Sequence, residues 1–344
     1  MRPLDWRTVL AEHHVPHVER GANVKRGELN IRCPFCGSAD PSFHMGLSLE
    51  SGYWACWRNS EHRGKSPLRL ICRLLNVSYS RARQIAGMAD DMPPDPDGFD
   101  AMAARIMGRD NRVERMEQVR REFLRMPSTY LELCELGSVS RFFHYMVSRG
   151  FTYQDVYDLT EDYGLRAARG GPDRDRVILP YYMDGDLVAW TGRAIGPATI
   201  RYKDLPRDEC IVPIKETLFN YDALSTGGCV LFVVEGPVDA LKIDLAGRDL
   251  GVRAVAVSTN SISTDQVYIL EEFAQGFRTV VFMLDTQSEL GVVDSMRMKQ
   301  KLSSVPNLAI MQVPFNLKDA GEMSPQQARM FVNQIVKRSD DNAL

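Results

Sequence analysis

Cys33-Pro34-Phe35-Cys36, followed by Cys56 and His62, constrains this chain more than any other stretch of it. Two thiols stand two residues apart, a third follows after 19 intervening residues, and an imidazole comes after five more. Thiolates and neutral imidazole are the donors that a borderline-soft ion such as Zn²⁺ selects, and four of them close a tetrahedral structural site. The first three fit the knuckle spacing of a zinc ribbon. The last gap, five residues rather than two, is looser. Tyr53-Trp-Ala-Cys-Trp57, aromatic and preceded by Gly52, suits a strand of such a ribbon. A small zinc module on a large chain usually docks to nucleic acid or protein.

The remaining sequence sets the bounds. At 344 residues, two or three domains are expected. With 44% hydrophobic and 25% charged residues, the composition is that of a soluble globular protein. The strongly apolar run Val230–Val234 has a strand's length, far short of a membrane span. No signal-peptide pattern stands at the N-terminus. Cys72, Cys134, Cys210 and Cys229 sit singly in apolar contexts, as reduced thiols do, so a reducing cytoplasm is expected. A net charge of −3 argues against coating nucleic acid by bulk charge. From His17 to Met88, however, 11 Lys and Arg stand against 5 Asp and Glu. That local field suits a polyanion, although a solvated basic face would give the same count.

Helices are expected at Trp6–His13, at Pro67–Leu75 and at Tyr79–Ala86 with Ser78 as cap. Ala89–Gly98 is acidic and Pro-rich and reads as a linker. Met102–Met126 has a helical pattern that stops at Pro127, and Ser140–Gly150 is a capped helix followed by another from Thr152. Val177–Tyr182 and Leu187–Trp190 flank Asp184-Gly185 as a hairpin. From Cys229 the pattern alternates. Strands Val230–Val234, Ala254–Ser258, Thr279–Leu284 and Leu308–Val313 interleave with helices Val238–Ala246, Thr264–Ala274, Gly291–Leu302 and Pro325–Lys337. This predicts a mostly parallel sheet covered on both faces.

Ligands of open α/β sheets bind outside the carboxyl ends of the strands. The first of these strands runs into Glu235-Gly236-Pro237-Val238-Asp239 and the third into Asp285, while Asp319 follows the last. Singly, such acids are commonly loop or cap residues. Together at one sheet edge they repel each other unless a hard cation sits among them. Mg²⁺ fits, because it takes oxygen ligands and keeps waters for phosphate oxygens. Such a site supports metal-assisted phosphoryl chemistry.

These residues resemble a known family. Val233-Val-Glu235-Gly236-Pro-Val-Asp239-Ala, Phe282-Met-Leu-Asp285 and Lys318-Asp319 look like the Toprim domain of bacterial-type DNA primases, topoisomerases and some nucleases. Cys33, Cys36, Cys56 and His62, with Gly64–Ile71 after them, resemble the zinc-binding domain of the same primases. Tyr145–Phe151 (with Arg149-Gly150), Arg176–Pro180, Gly192-Arg193, Arg201-Tyr202 and Lys215–Tyr221 follow in the order of a DnaG-like polymerase core.

The resemblance covers about residues 25 to 325. It implies a multidomain α/β chain: a zinc ribbon in 1–88, a linker in 89–100, a basic α+β subdomain in 101–228 and a Toprim sheet with its C-terminal helix in 229–344. The activity it implies is synthesis of short RNA primers on single-stranded DNA from ribonucleoside triphosphates. Zn²⁺ would be structural. Mg²⁺ or Mn²⁺ would be held by Glu235, Asp285 and Asp319, with Asp239 beside them. Arg193, Arg201, Lys203 and Lys215 would line the nucleotide and template track, and Trp54, Trp57 and Tyr53 would offer stacking faces, with packing around the metal the expected role of at least two of these aromatics. A replicative helicase supplied in trans is the implied partner, with no membrane. Stand-alone primases of this kind suggest a virus or plasmid of bacteria.

The chain departs from the family pattern at two places. Asp285-Thr-Gln287-Ser-Glu289 stands where Asp-x-Asp is usual, and Gln287 supplies no carboxylate. The fourth zinc ligand is His62 at the longer spacing, with His44 as a rival that aligns with a non-ligating strand position. Gly64-Lys65-Ser66 mimics the end of a phosphate loop, but position 59 is Asn and no strand precedes it. Two other classes stay open: a non-catalytic nucleic-acid-binding protein on a degenerate Toprim core, and a Toprim nuclease.

Overall fold

The computed structural model describes residues 4–21, 23–36, 42–60, 62–75, 77, 79–88, 124–137, 139–258, 262–284 and 301–341. The chain divides into two compact units, Met1–Pro94 and Asp95–Leu344.

In the first unit, α1 (Trp6–Glu12) starts at Asp5, whose carboxylate accepts the Arg7 and Thr8 amides at 3.2 and 3.4 Å. An antiparallel sheet follows: β1 (His17–Val18), β2 (Glu28–Ile31), β3 (Met45–Ser48), β4 (Trp54–Cys56) and β5 (Arg63–Gly64), in that order across the sheet. Helices α2 (Pro67–Leu75) and α3 (Tyr79–Ile85) complete the unit. Its core is small: Trp6, Leu10, Ile31, Leu47, Trp54 and Ile71 are among its fully buried side chains. Trp54 lies against Gly64, where an added Cβ would come within 2.6 Å of the indole.

The second unit begins with five antiparallel strands: β6 (Tyr130–Glu132), β7 (Arg166–Ala168), β8 (Arg176–Met183), β9 (Asp186–Ala194) and β10 (Tyr202–Asp204), ordered β10-β9-β8-β7-β6. Asp184 and Gly185 turn the β8–β9 hairpin at positive φ, 53° and 82°. Between β6 and β7 lie α4 (Arg141–Ser148), capped by Ser140, and α5 (Tyr153–Tyr163), which opens on a reciprocal Thr152/Asp155 cap. The four strands of the second sheet are all parallel: β11 (Gly228–Val234), β12 (Val252–Ala256), β13 (Phe277–Leu284) and β14 (Leu308–Gln312). Their helices include α6 (Pro237–Gly247), α7 (Thr264–Phe273) and α8 (Pro325–Asp340). One continuous apolar core joins the two sheets of this unit.

Strand order in the parallel sheet is β12-β11-β13-β14. The chain leaves β11 for one neighbour, then crosses back to the other side. That reversal makes the carboxyl end of β11 the switch point, where a crevice opens.

The expected α/β alternation is met within one to three residues at each described boundary. The second expected strand stops at Ala256 because Ser258 takes φ 58°. The expected helix over 102–126 lies outside the described residues except for 124–126, which are not helical. The Ala89–Gly98 linker, the Ser78 cap and almost all of the Gly291–Leu302 helix also lie outside them. The short strands β1, β5, β6, β7 and β10 went unread, because two or three residues hold too little alternation to show a period.

Asp244 on α6 ties the unit together. It is fully buried and accepts from Tyr163 of α5 (2.6 Å), from Arg253 Nε and Nη2 (2.9 and 3.0 Å) and from the Ala254 amide (2.7 Å). Removing such a partner leaves Arg253 half-buried with no counter-charge. Asp244→Ala is expected to lose about 3–5 kcal/mol in urea unfolding, against about 1 kcal/mol for Tyr163→Phe. Equal, small losses in both would show that the network carries little stability.

Candidate metal centre and carboxylate cavity

Cys33, Cys36, Cys56 and His62 come together in the first unit, their ligand atoms all within 4.8 Å of one another. Cys33 and Cys36 flank the turn after β2, with the Cys36 amide donating to the Cys33 carbonyl at 3.2 Å. Cys56 ends β4, and its amide donates to the His62 carbonyl at 2.8 Å, which brings the imidazole back over the thiols. Cys36 Sγ lies 3.8 Å from Cys56 Sγ, and His62 Nδ1 lies 3.4 and 3.6 Å from the sulfurs of Cys36 and Cys33. Bond lengths of about 2.3 Å to sulfur and 2.0 Å to nitrogen put tetrahedral ligand atoms about 3.5–3.8 Å apart, so the donor set fits Zn²⁺. His62 Nε2 lies 3.2 Å from the Asn59 amide, a partner that fixes the ring. His44 is not part of this cluster and contacts Ser42 instead.

The aromatic residues divide by exposure. Trp54 is 0% exposed. Its ring stacks on Phe35 of the knuckle at 5.2 Å and 9°, and its Nε1–H donates to the Ser66 carbonyl at 2.8 Å. This corrects the expectation that Trp54 stacks on bases, since its faces are used inside the fold. Trp57, 44% exposed, and Tyr53, 38% exposed, keep open faces.

In the second unit, a cavity of about 330 Å³ lies at the carboxyl end of β11. Glu235, Asp239 and Asp319 line it, with Arg149, Arg193 and Arg201. Glu235 follows β11 directly. Gly236 and Pro237 start α6, and Asp239 in its first turn accepts the Gly236 amide at 3.1 Å. The other Asp239 oxygen accepts the Gly321 amide at 2.7 Å, which draws in the loop that carries Asp319. A Cβ at Gly321 would lie 2.8 Å from Asp239 Oδ1 and 3.0 Å from Arg149 Nη2, so a larger residue would push these groups apart. Burial, reinforced by the charge of Asp319, raises the Asp239 carboxyl to about 7, against the pull of the two amides and Arg149. Arg149 Nη2 stands 3.7 Å from Asp319 Oδ1. That oxygen is buried and accepts no hydrogen bond among the described residues. A buried carboxylate oxygen without a donor suits a hard cation, but among the described residues only the Cys33 cluster brings three or more metal-type donors together.

The basic wall follows from strand pairing. Tyr202 of β10 pairs with Arg193 of β9, so the guanidinium lies 4.6 Å over the Tyr202 ring while its Nε–H donates to Tyr145 at 2.8 Å. Arg176 donates to the carbonyls of Gly192, Ile200 and Arg201, which shapes the approach to Arg201. Lys203 lies between Tyr202 and Asp204, so strand alternation turns it to the opposite face. There it binds Asp173 at 3.0 Å and the Pro172 carbonyl at 2.6 Å, which corrects its expected place in the nucleotide track. Lys215 is exposed on a short turn and does not line the cavity. Asp285, Gln287 and Glu289 lie outside the described residues.

The cavity also holds Arg149, Asp204 and Ser258, which sequence reasoning did not assign to it. Arg149 had a signal: a basic residue just before the helix-ending Gly150. Asp204 and Ser258 had none, because only the β9–β10 pairing and the left-handed turn after β12 bring them in.

No family model matches the sequence, and no curated protein matches it. Among solved structures the chain is similar to the DnaG primase catalytic domain bound to ssDNA, at 16% identity and a TM-score of 0.46, covering 67% of this chain and 78% of that one. It is also similar to the zinc-binding and RNA polymerase domains of the Aquifex aeolicus primase, at 15% identity and a TM-score of 0.42, covering 97% and 83%. A third is the primase fragment of the bacteriophage T7 primase-helicase protein, at 15% identity and a TM-score of 0.38, covering 90% and 97%.

Two outcomes test these sites. Three of the four tryptophans, Trp6, Trp54 and Trp57, lie in the first unit, so indole emission reports it. Chelation of zinc is expected to shift that emission to the red, and added Zn²⁺ to restore it. Unchanged emission from protein shown to be zinc-free would contradict a structural role. For Asp239, a carboxyl raised from 3.8 to about 7 is neutral in the fold while the unfolded chain is ionised. Its contribution to stability is therefore whole below about pH 4 and lost as pH rises through 7. With zinc as the only divalent ion, the melting temperature of the native protein relative to Asp239→Asn should fall from pH 5 to pH 8. A pH-independent difference would show the carboxyl ionising normally.

Proposed function

We propose that this chain is a DNA primase, a template-directed RNA polymerase that makes short primers on single-stranded DNA. The observation that carries this reading is the cavity at the sheet's switch point, lined by four carboxylates (Asp204, Glu235, Asp239 and Asp319) and three arginines. Guanidinium forks suit phosphate oxygens, and clustered acids suit the hard cations that accompany triphosphates. The Toprim-like and zinc-ribbon motifs in the sequence support the same activity.

In this reading Glu235, Asp319 and Asp285 would hold Mg²⁺ or Mn²⁺, which would polarise a phosphate oxygen and lower the pKa of an attacking hydroxyl. Arg193 and Arg201 hold the triphosphate of the incoming ribonucleotide and the template backbone. The flat support of Tyr202 under Arg193 keeps that guanidinium pre-oriented. Asp239 does not touch substrate: it fixes the loop of Asp319 to the start of α6. The 3′-hydroxyl of the growing chain displaces pyrophosphate from the α-phosphate. Residues 1–88 act as the template-engaging arm, with Trp57 and Tyr53 offering faces on which bases stack. Residues 89–100 would tether that arm to a core segment, 101–228, and to the cation-binding sheet, 229–344. Among the described residues no helix is long and apolar enough to cross a membrane. We assign the protein to the cytoplasm, with a replicative helicase as its partner in trans.

Gln287, where a carboxylate is usual, favours a second reading: nucleic-acid binding without synthesis. Incubation with single-stranded DNA, labelled ribonucleotides and Mg²⁺ or Mn²⁺ separates the two. Short RNA products are expected, reduced at least about 100-fold in Glu235→Gln and in Arg193→Ala. Tight DNA binding without products would establish the second reading, and cut DNA would point to a nuclease.

A further inference from the structure

Lys242 is an ammonium group taken out of water. It lies on α6 three residues beyond Asp239 and is 3% exposed. Burying a lone ammonium costs several kcal/mol unless its donors are met. Here Nζ donates to the main-chain carbonyls of Arg149 (3.0 Å) and Gly150 (2.7 Å) and lies 3.8 Å from the centroid of the Phe151 ring. These carbonyls belong to the end of α4, where the last C=O groups lack intrahelical partners and the helix dipole is negative. A lysine of the parallel-sheet half therefore caps a helix of the antiparallel half.

The capped residue is also the one that reaches the cavity. Arg149 leaves the end of α4 and brings Nη2 to 3.7 Å from Asp319. Its Nε is buried and has no hydrogen-bond partner among the described residues. An unmatched guanidinium nitrogen beside a cation-type carboxylate calls for an anionic oxygen. The main chain at this point has little slack. Gly150 takes φ 78°, and a Cβ there would stand 3.3 Å from Lys242 Nζ and 3.4 Å from the Met323 carbonyl. A helix end in contact with water would need no buried charge to satisfy its carbonyls. A buried ammonium does more than satisfy them, because it fixes where they are.

We infer that Lys242 is a positioning residue: it clamps the main chain at Arg149 and Gly150, so that the Arg149 guanidinium meets Asp319 and a phosphate oxygen of the bound nucleotide together. The phosphate contact rests on the proposed nucleotide chemistry, whereas the orientation of Arg149 does not.

The test uses the full-length, zinc-loaded protein with Lys242→Met, Arg149→Ala and the two combined. Lys242→Gln, which keeps two N–H donors on a neutral side chain, serves as the conservative variant and as the substitute should the methionine variant fail to fold. Two quantities are read: the affinity for ATP with Mn²⁺ by calorimetry, and the Arg149 Nε–H signal by NMR, assigned from its loss in Arg149→Ala. Lys242→Met is expected to weaken ATP binding about tenfold and to broaden or shift the Arg149 signal, with Lys242→Gln intermediate. The double variant should bind ATP no more weakly than Arg149→Ala alone. Additive losses in the double variant, or an Arg149 signal unmoved by Lys242→Met, would overturn the inference. If the native protein binds no ATP, the nucleotide reading fails, and the Arg149 signal alone then decides whether Lys242 positions it.

Discussion

Asp239 accepts two main-chain N–H groups, from Gly236 and from Gly321, while buried beside Asp319. Those two bonds join the strand end that carries Glu235 to the loop that carries Asp319. Arg149 balances the charge from a third direction, out of the antiparallel half. Two carboxylates this close in a dry setting disfavour each other's ionised form, and burial adds to that. The edge therefore holds its shape only with amide donors, a guanidinium or a cation among the acids. The glycines at 236 and 321 follow from the same crowding, since a Cβ at either would fall within 2.8 Å of an Asp239 oxygen.

The parallel sheet was legible in the sequence because its strands are buried on both faces. Val230–Val234 and Thr279–Leu284 read as near-continuous apolar runs, and Glu235, the acid that follows the first, lines the cavity at that edge. The zinc ligands were legible because spacing alone encodes a knuckle. Strand order was not, since local pattern says nothing about which neighbour a strand takes. With it went the switch point that makes Glu235 central. Lys203 was misread for a related reason: its side of β10 depends on the pairing of Tyr202 with Arg193, which a three-residue strand cannot reveal. Trp54 and Trp57 flank the same cysteine, yet one packs on Phe35 and Gly64 while the other faces outward. Arg149 and Lys242 became related only when α4 and α6 met.

The two units solve the problem of stability differently. The first has a small core, and its four clustered ligands, once they bind Zn²⁺, would add stability that its apolar area does not supply. Arg69 lies over the Phe35 and Trp54 rings at 5.4 and 5.7 Å, which extends the aromatic stack beside the ligands. The second unit shares one core across two sheets and keeps charged groups inside it: Asp244 accepts four hydrogen bonds, and Lys242 donates two to main-chain carbonyls and lies against the Phe151 ring. Its strength is spent on holding an acidic edge and a basic wall within one small cavity.

That cavity is the centre of the account, and anomalous scattering tests it most directly. Crystals of the zinc-loaded protein grown with ATP and Mn²⁺ should show a manganese peak bonded to Glu235 and Asp319, with phosphate oxygens against Arg149 and Arg193. Manganese absent from those carboxylates, or a triphosphate bound away from the arginines, would contradict it.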